Sequence, residues 1–79
     1  SDPVARTVAM IVNEGVDLVA RGEATPEDVD TAMRLGTNYP KGPFEWLAEL
    51  GAGTVLAQLE ELDRAYPGGR YRPSEGLTS

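Results

Sequence analysis

One apolar stripe of unusual width governs what this chain can fold into. From Val4, the residues Val8, Ile11, Gly15 and Leu18 recur at spacings of four and three, the period of an α-helix. Ala9, Val12, Val16 and Val19 widen the stripe well beyond one face, and Arg6, Asn13, Asp17 and Arg21 are left as a narrow polar band. A helix with so little polar surface is either central to its domain or pressed against another chain. Asp2-Pro3 reads as its N-cap and first helical residue, and Gly22 as its stop. Gly15, in mid-helix, costs up to about 1 kcal/mol relative to alanine, which close approach of a neighbouring helix would offset.

The rest of the chain continues the helical pattern. Thr25-Pro26-Glu27-Asp28 combines a cap, a proline and first-turn acids, with Val29, Ala32 and Met33 expected inward and Gly36 as the end. Asn38-Tyr39-Pro40-Lys41-Gly42-Pro43 is a dense turn signal. Pro43 opens a third helix with Phe44, Leu47 and Leu50 on one side and Trp46 nearby, stopped by Gly51. A last helix runs from Gly53 or Thr54 to Tyr66, with Val55, Leu59, Leu62 and Tyr66 as its stripe and Glu60–Arg64 as a solvent pair. Beyond Pro67 no periodicity remains. Residues 67–79 read as an extended tail that packs through Tyr71 and frays after Ser74. No period-two alternation occurs anywhere. The expectation is one all-α domain over residues 1–79, a small bundle of about four helices with its helical core in residues 1–66.

At 79 residues such a domain buries only about 60% of the surface its unfolded form exposes. Without cysteine it has no disulfide to supplement the core, although its 41% hydrophobic content is that of a globular chain. Thirteen acids against seven bases give a net charge of −6. With no basic stripe, nucleic acid and anionic membranes are disfavoured as partners. The longest purely apolar run, Val8 to Val12, falls far short of the ~20 residues that span a bilayer. No secretory signal opens the chain, so a cytoplasmic location is expected.

The absence of histidine narrows the chemistry further. Without His or Cys there is no zinc-type site and no Ser-His or Cys-His nucleophile. Carboxylates, Lys41, the tyrosines and the arginines remain, and no metal site is expected among them. Asp28 and Asp30 diverge on a helix, and Asp28 sits where a capping carboxylate belongs. Glu45 and Glu49, one turn apart, read as a solvated face. Arg70 and Arg72 read as surface salt-bridge partners, and Phe44 and Trp46 as core or interface anchors. Asn13 stands open between a hydrogen bond across a helix interface and a plain exposed amide. No Gly-x-Gly-x-x-Gly follows a strand; Gly51-Ala52-Gly53 comes nearest and lacks both strand and third glycine.

Glu14, Gly22, Glu27-Asp28-Val29-Asp30, Ala32-Met33, Gly36, Tyr39-Pro40-x-Gly42-Pro43-Phe44-Glu45 and Arg70-Tyr71-Arg72-Pro73-Ser74 occur in series across nearly the whole chain. In that order and spacing they resemble the C-terminal domain of 3-hydroxyacyl-CoA dehydrogenases. The resemblance implies a fold like the C-terminal domain of 6-phosphogluconate dehydrogenase. It also implies a parent enzyme that oxidises L-3-hydroxyacyl-CoA with NAD bound on a separate Rossmann domain. This chain is then expected to hold no catalytic or cofactor-binding residue and no cofactor of its own.

The implied role is packing against that Rossmann domain and against a sibling helical domain, in a homodimer. Val8, Ile11, Val12, Gly15, Phe44 and Trp46 are the expected interface. Tyr39, Pro40, Lys41, Gly42 and Pro43 form either a rigid turn or one side of an acyl-CoA pocket. The family's substrate-positioning asparagine falls at Ala5, with Arg6 fitting the residue after it. The Arg6-Thr7-Val8-Ala9-Met10 opening and the Asn38-Tyr39-Pro40 turn are similar to the second, degenerate copy of the domain in long bacterial forms. The rival expectation is a free-standing acidic helical interaction module.

Overall fold

The wide stripe of the first helix is used inside the chain. A computed structural model describes residues 3–37 and 40–78. Among them are five helices and no strand: α1 (Pro3–Ala20), α2 (Pro26–Thr37), α3 (Pro43–Leu50), α4 (Ala52–Ala65) and α5 (Glu75–Thr78). α1 is the central element and touches each of the other four. Ala9, Val12 and Val16 of α1 meet Val55 and Leu59 of α4 and Leu77 of α5 in one cluster, with Val8, Phe44, Trp46 and Leu47 packed around it. Each fully buried Val or Leu there contributes roughly 1.5–3 kcal/mol.

The local signals act as their chemistry requires. α1 closes with a pair of carbonyl-satisfying bonds: the Glu23 amide donates to Leu18 C=O at 3.0 Å and the Gly22 amide to Val19 C=O at 2.9 Å. That closure puts Gly22 at φ +73°, where a side chain is disfavoured. At the start of α2 the Thr25 hydroxyl accepts the Asp28 amide at 3.2 Å. The Asp2 cap expected for α1 lies outside the described residues.

Several expectations are corrected. Ala32 is exposed and Met33 only half-buried; the buried pair of α2 is Val29 and Asp30. α2 lies at the edge of the bundle, against α1 and α3 alone, so only a narrow strip of it is covered, and Leu35 stays 82% exposed. α2 also runs one residue past Gly36. Tyr66, expected in the stripe of α4, is 53% exposed, its ring tilted against Tyr71 at 5.9 Å between centroids. Glu60 and Arg64 are exposed but are not joined by an ion pair.

The largest correction concerns residues 67–78. The expected packing through Tyr71 is present, for Tyr71 is buried, but the segment returns along α1, buries Ser74 and Leu77 as well, and after Ser74 forms α5 where an unstructured end was expected. The helical core therefore extends to Leu77.

Candidate functional site

An apolar groove lies where the N-terminal half of α1 meets α3 and α4. Two adjoining depressions share Val4, Val8 and Trp46. The first, of about 280 Å³, continues over Leu50, Thr54 and Val55; the second, of about 370 Å³, runs toward Pro3, Thr7 and Pro40. Val4 is 69% and Leu50 44% exposed, so this groove leaves large aliphatic groups in water. Glu49 and Gln58 are its polar rim.

Beside the groove, the turn into α3 is braced by carboxylates. Pro43 takes the first helical position, which leaves the Phe44 and Glu45 amides without partners in their own helix. Asp30 supplies both: one oxygen accepts Phe44 N–H at 2.7 Å and the other Glu45 N–H at 3.2 Å. Glu45 reaches back to accept Gly42 N–H at 2.8 Å, while Asp30 takes the Glu45 amide that a glycine cap has no side chain to accept. The same Glu45 oxygen takes Arg34 at 2.6 Å. The Gly42 amide proton holds the Glu45 carboxyl below its ordinary value; partial desolvation opposes this, and Arg34 and Lys41 reinforce it. Lys41 itself is ion-paired with Glu49.

Close approach explains two small residues here. A Cβ on Gly42 would stand 2.5 Å from the Asp30 backbone, and one on Gly15 would stand 2.8 Å from Pro43. Gly15 is thus the notch in α1 into which the head of α3 fits.

The expected site residues divide accordingly. Val8 and Trp46 line the groove, and Ile11 and Phe44 are half-buried. Val12 and Gly15 are corrected: Val12 is 0% exposed and Gly15 is covered by Pro43 and Val29, so neither has surface for a partner. Of the turn, Tyr39 lies outside the described residues, Pro40 is exposed and lines the groove, and Gly42 and Pro43 are buried. Pro43 has no surface to offer a ligand, because it fills the Gly15 notch. Glu45 and Glu49 are exposed, but each is engaged, one as cap and one as the Lys41 partner. No cluster of three metal-ligating side chains occurs among the described residues. No helix among them is long and apolar enough to cross a membrane.

Sequence reasoning missed Val4, Leu50 and Thr54 as groove residues, and it missed the partners of Asn13. The Asn13 amide donates to Arg72 C=O at 2.9 Å and accepts Ser74 N–H at 2.6 Å. Of the two arginines expected in salt bridges, Arg70 lies with its guanidinium carbon 5.9 Å from the Tyr71 ring centroid.

Comparison with known proteins decides what kind of domain carries these features. Residues 3–79 match the model of the family described as 3-hydroxyacyl-CoA dehydrogenase, C-terminal domain. This chain belongs to that family. It is 54% identical over 68 residues to 3-hydroxyadipyl-CoA dehydrogenase of Escherichia coli K12, covering 86% of this chain and 14% of that one. It is 39% identical over 77 residues to the mitochondrial hydroxyacyl-coenzyme A dehydrogenase of Homo sapiens, covering 94% and 24%.

Among solved structures, it superposes on a 3-hydroxybutyryl-CoA dehydrogenase from Escherichia coli K12 with a TM-score of 0.86 at 52% identity, over 92% of this chain and 16% of that one. A (S)-3-hydroxybutyryl-CoA dehydrogenase from Ralstonia eutropha gives 0.85 at 33% identity, over 92% and 26%. The chain therefore spans between about a seventh and a quarter of the length of these relatives. The match leaves the free-standing interaction module without an observation in its favour. Within this 3-hydroxyacyl-CoA dehydrogenase domain, Ala5 lines the groove and brings only a methyl group where the resemblance places an asparagine.

Proposed function

We propose that this chain serves as the helical packing module of an NAD-dependent 3-hydroxyacyl-CoA dehydrogenase acting in fatty-acid or related acyl-CoA oxidation in the cytoplasm. The parent reaction interconverts L-3-hydroxyacyl-CoA and 3-ketoacyl-CoA, with NAD held on the Rossmann domain. This domain's own contribution is surface. The observation that carries the reading is the groove over Val4, Val8, Trp46 and Leu50, an apolar channel on a domain otherwise rich in charge. Water contact with that much aliphatic surface is unfavourable, and a sibling helical domain removes it.

The absence of histidine and the methyl group of Ala5 support a role without catalysis in this copy. The bacterial relative at 54% identity supports the second-copy reading. There 68 matched residues are 14% of the chain, against 77 residues and 24% for the human enzyme, so the more similar relative is also the longer.

Sedimentation of the isolated domain tests the packing role. The expected result is self-association that Trp46→Ala weakens while the helical circular-dichroism spectrum is retained. A wild-type domain that stays monomeric at high concentration overturns it. Mixing the domain with NAD and a 3-hydroxyacyl-CoA is expected to give no turnover, and a steady NADH signal would reverse the non-catalytic assignment.

A further inference from the structure

Residues 67–78 are fastened to the domain along a single line. Asn13 donates to the Arg72 carbonyl and accepts the Ser74 amide. The Ser74 hydroxyl donates to Asp17 at 3.3 Å and accepts the Gly76 amide at 3.2 Å, so it anchors the segment and caps α5 at once. Gly76 lies so close to α1 that a Cβ there would stand 2.6 Å from Val16 Cγ1 and 3.5 Å from Ala20 Cβ. Asn13, Val16, Asp17 and Ala20 are spaced three and four apart, which makes them one stripe of one helix.

The segment begins at Pro67-Gly68-Gly69, and the two glycines hold φ of +138° and +90°. These are conformations that glycine leaves and re-enters at little steric cost. α5 contacts α1 and α4 and no other helix. Leu77 joins the cluster between α1 and α4, whereas α1 meets α2 and α3 without it.

We propose that residues 67–78 form a releasable strap, latched on α1 by Asn13 and hinged at Gly68-Gly69, which opens as a unit and uncovers Val16 while α1 to α4 stay folded. The physical basis is that the polar fastening comes from Asn13 and Asp17, one turn apart on α1, and that Asn13 alone holds two backbone groups. Two backbone groups, Arg72 C=O and Ser74 N–H, depend on the same amide, so both are released together. Strap opening is thereby a two-state event with its own free energy, below that of global unfolding.

Hydrogen exchange of the whole chain, followed residue by residue across a series of low denaturant concentrations, tests this. The amides of Ser74, Gly76 and Leu77 are expected to exchange at least about tenfold faster than those of Val12 and Val16, with little denaturant dependence, the mark of a local opening. Asn13→Ala is expected to speed strap exchange a further roughly tenfold and to leave α4 amides such as Leu59 unchanged. Strap and α1 amides sharing one rate and one denaturant slope in the wild type would overturn the proposal. So would Asn13→Ala accelerating strap and α4 by the same factor. If Asn13→Ala does not fold, the wild-type measurement decides alone.

Discussion

Asp30 on α2 takes the backbone amide of Phe44 on α3 at 2.7 Å, across the turn that joins the two helices. Its other oxygen takes the next amide, and the residue is almost entirely buried. The positive end of α3 is thus closed by a carboxylate from a different helix, and that one side chain fixes where α3 starts and how it faces α1. Replacing Asp30 by alanine removes the acceptor of two amides in a partly buried site. Asp30→Ala is expected to lower the free energy of unfolding by about 2–4 kcal/mol, and Asp30→Asn, which keeps one acceptor, by about half as much. Urea denaturation monitored by the single tryptophan checks both; a loss under 0.5 kcal/mol for alanine would remove the cap from the account.

Glu45 makes the same turn sensitive to acid. Its folded-state carboxyl titrates below the ordinary value of 4.5, first because it accepts the Gly42 amide proton and then because Arg34 and Lys41 lie near. A depressed folded value means stability that is full above the ordinary carboxylate range and lost as pH falls through the folded value. Glu45→Gln keeps an oxygen for Gly42 and removes the charge. The difference in unfolding free energy between wild type and Glu45→Gln is expected to be flat above pH 4.5 and to shrink below it. A difference that does not change across that range would show that the charge contributes nothing.

These two carboxylates illustrate what the sequence reveals and what it hides. Thr25-Pro26-Glu27-Asp28 is legible because every partner lies within one helical turn, and the structure has the Thr25 cap where local chemistry puts it. Gly15 is legible in part, since a glycine inside a strong helix implies a close neighbour, though not that the neighbour is Pro43. Asp30 has a spacing that argues for a structural role, but its partners are 14 and 15 residues away. Asn13 bonds to groups 59 and 61 residues distant, so nothing local distinguishes it from an exposed amide. α5 was hidden for the same reason: four residues carry no period, and the cap that starts it is held by α1. The groove follows from subtraction. The stripe of α1 names every apolar candidate, and only the packing of α3 to α5 decides that Val12 is covered and Val4 left out.

The notch at Gly15 gives a sharper steric prediction. An alanine methyl there would meet two ring carbons of Pro43 at 2.8 and 3.0 Å and Val29 Cγ1 at 3.1 Å. Proline is rigid, so α3 must shift as a body. Gly15→Ala is expected to destabilise by about 1–3 kcal/mol although alanine is the better helix former. At about 4–8 °C of midpoint per kcal/mol for a domain of this size, a thermal melt resolves the effect readily. A melt at or above the wild-type midpoint would mean that α3 does not sit on Gly15 in solution.

Two exposed aliphatic residues separate surface that is merely left over from surface with a role. Leu35 is 82% exposed on the outer side of α2, and neither depression of the groove includes it. Val4 is 69% exposed but stands between Trp46, Leu50 and Pro40 in the channel proposed for a sibling domain. Since both side chains are mostly exposed, glutamate at either place costs little in folding, within about 0.5 kcal/mol. Their effects on association differ. Val4→Glu sets a carboxylate against apolar surface, and one on each copy doubles the desolvation cost, so sedimentation is expected to find the domain monomeric. Leu35→Glu is expected to leave association as it was. If the two variants weaken association equally, net charge and not the groove governs it; if Leu35→Glu alone does so, the partner sits on α2.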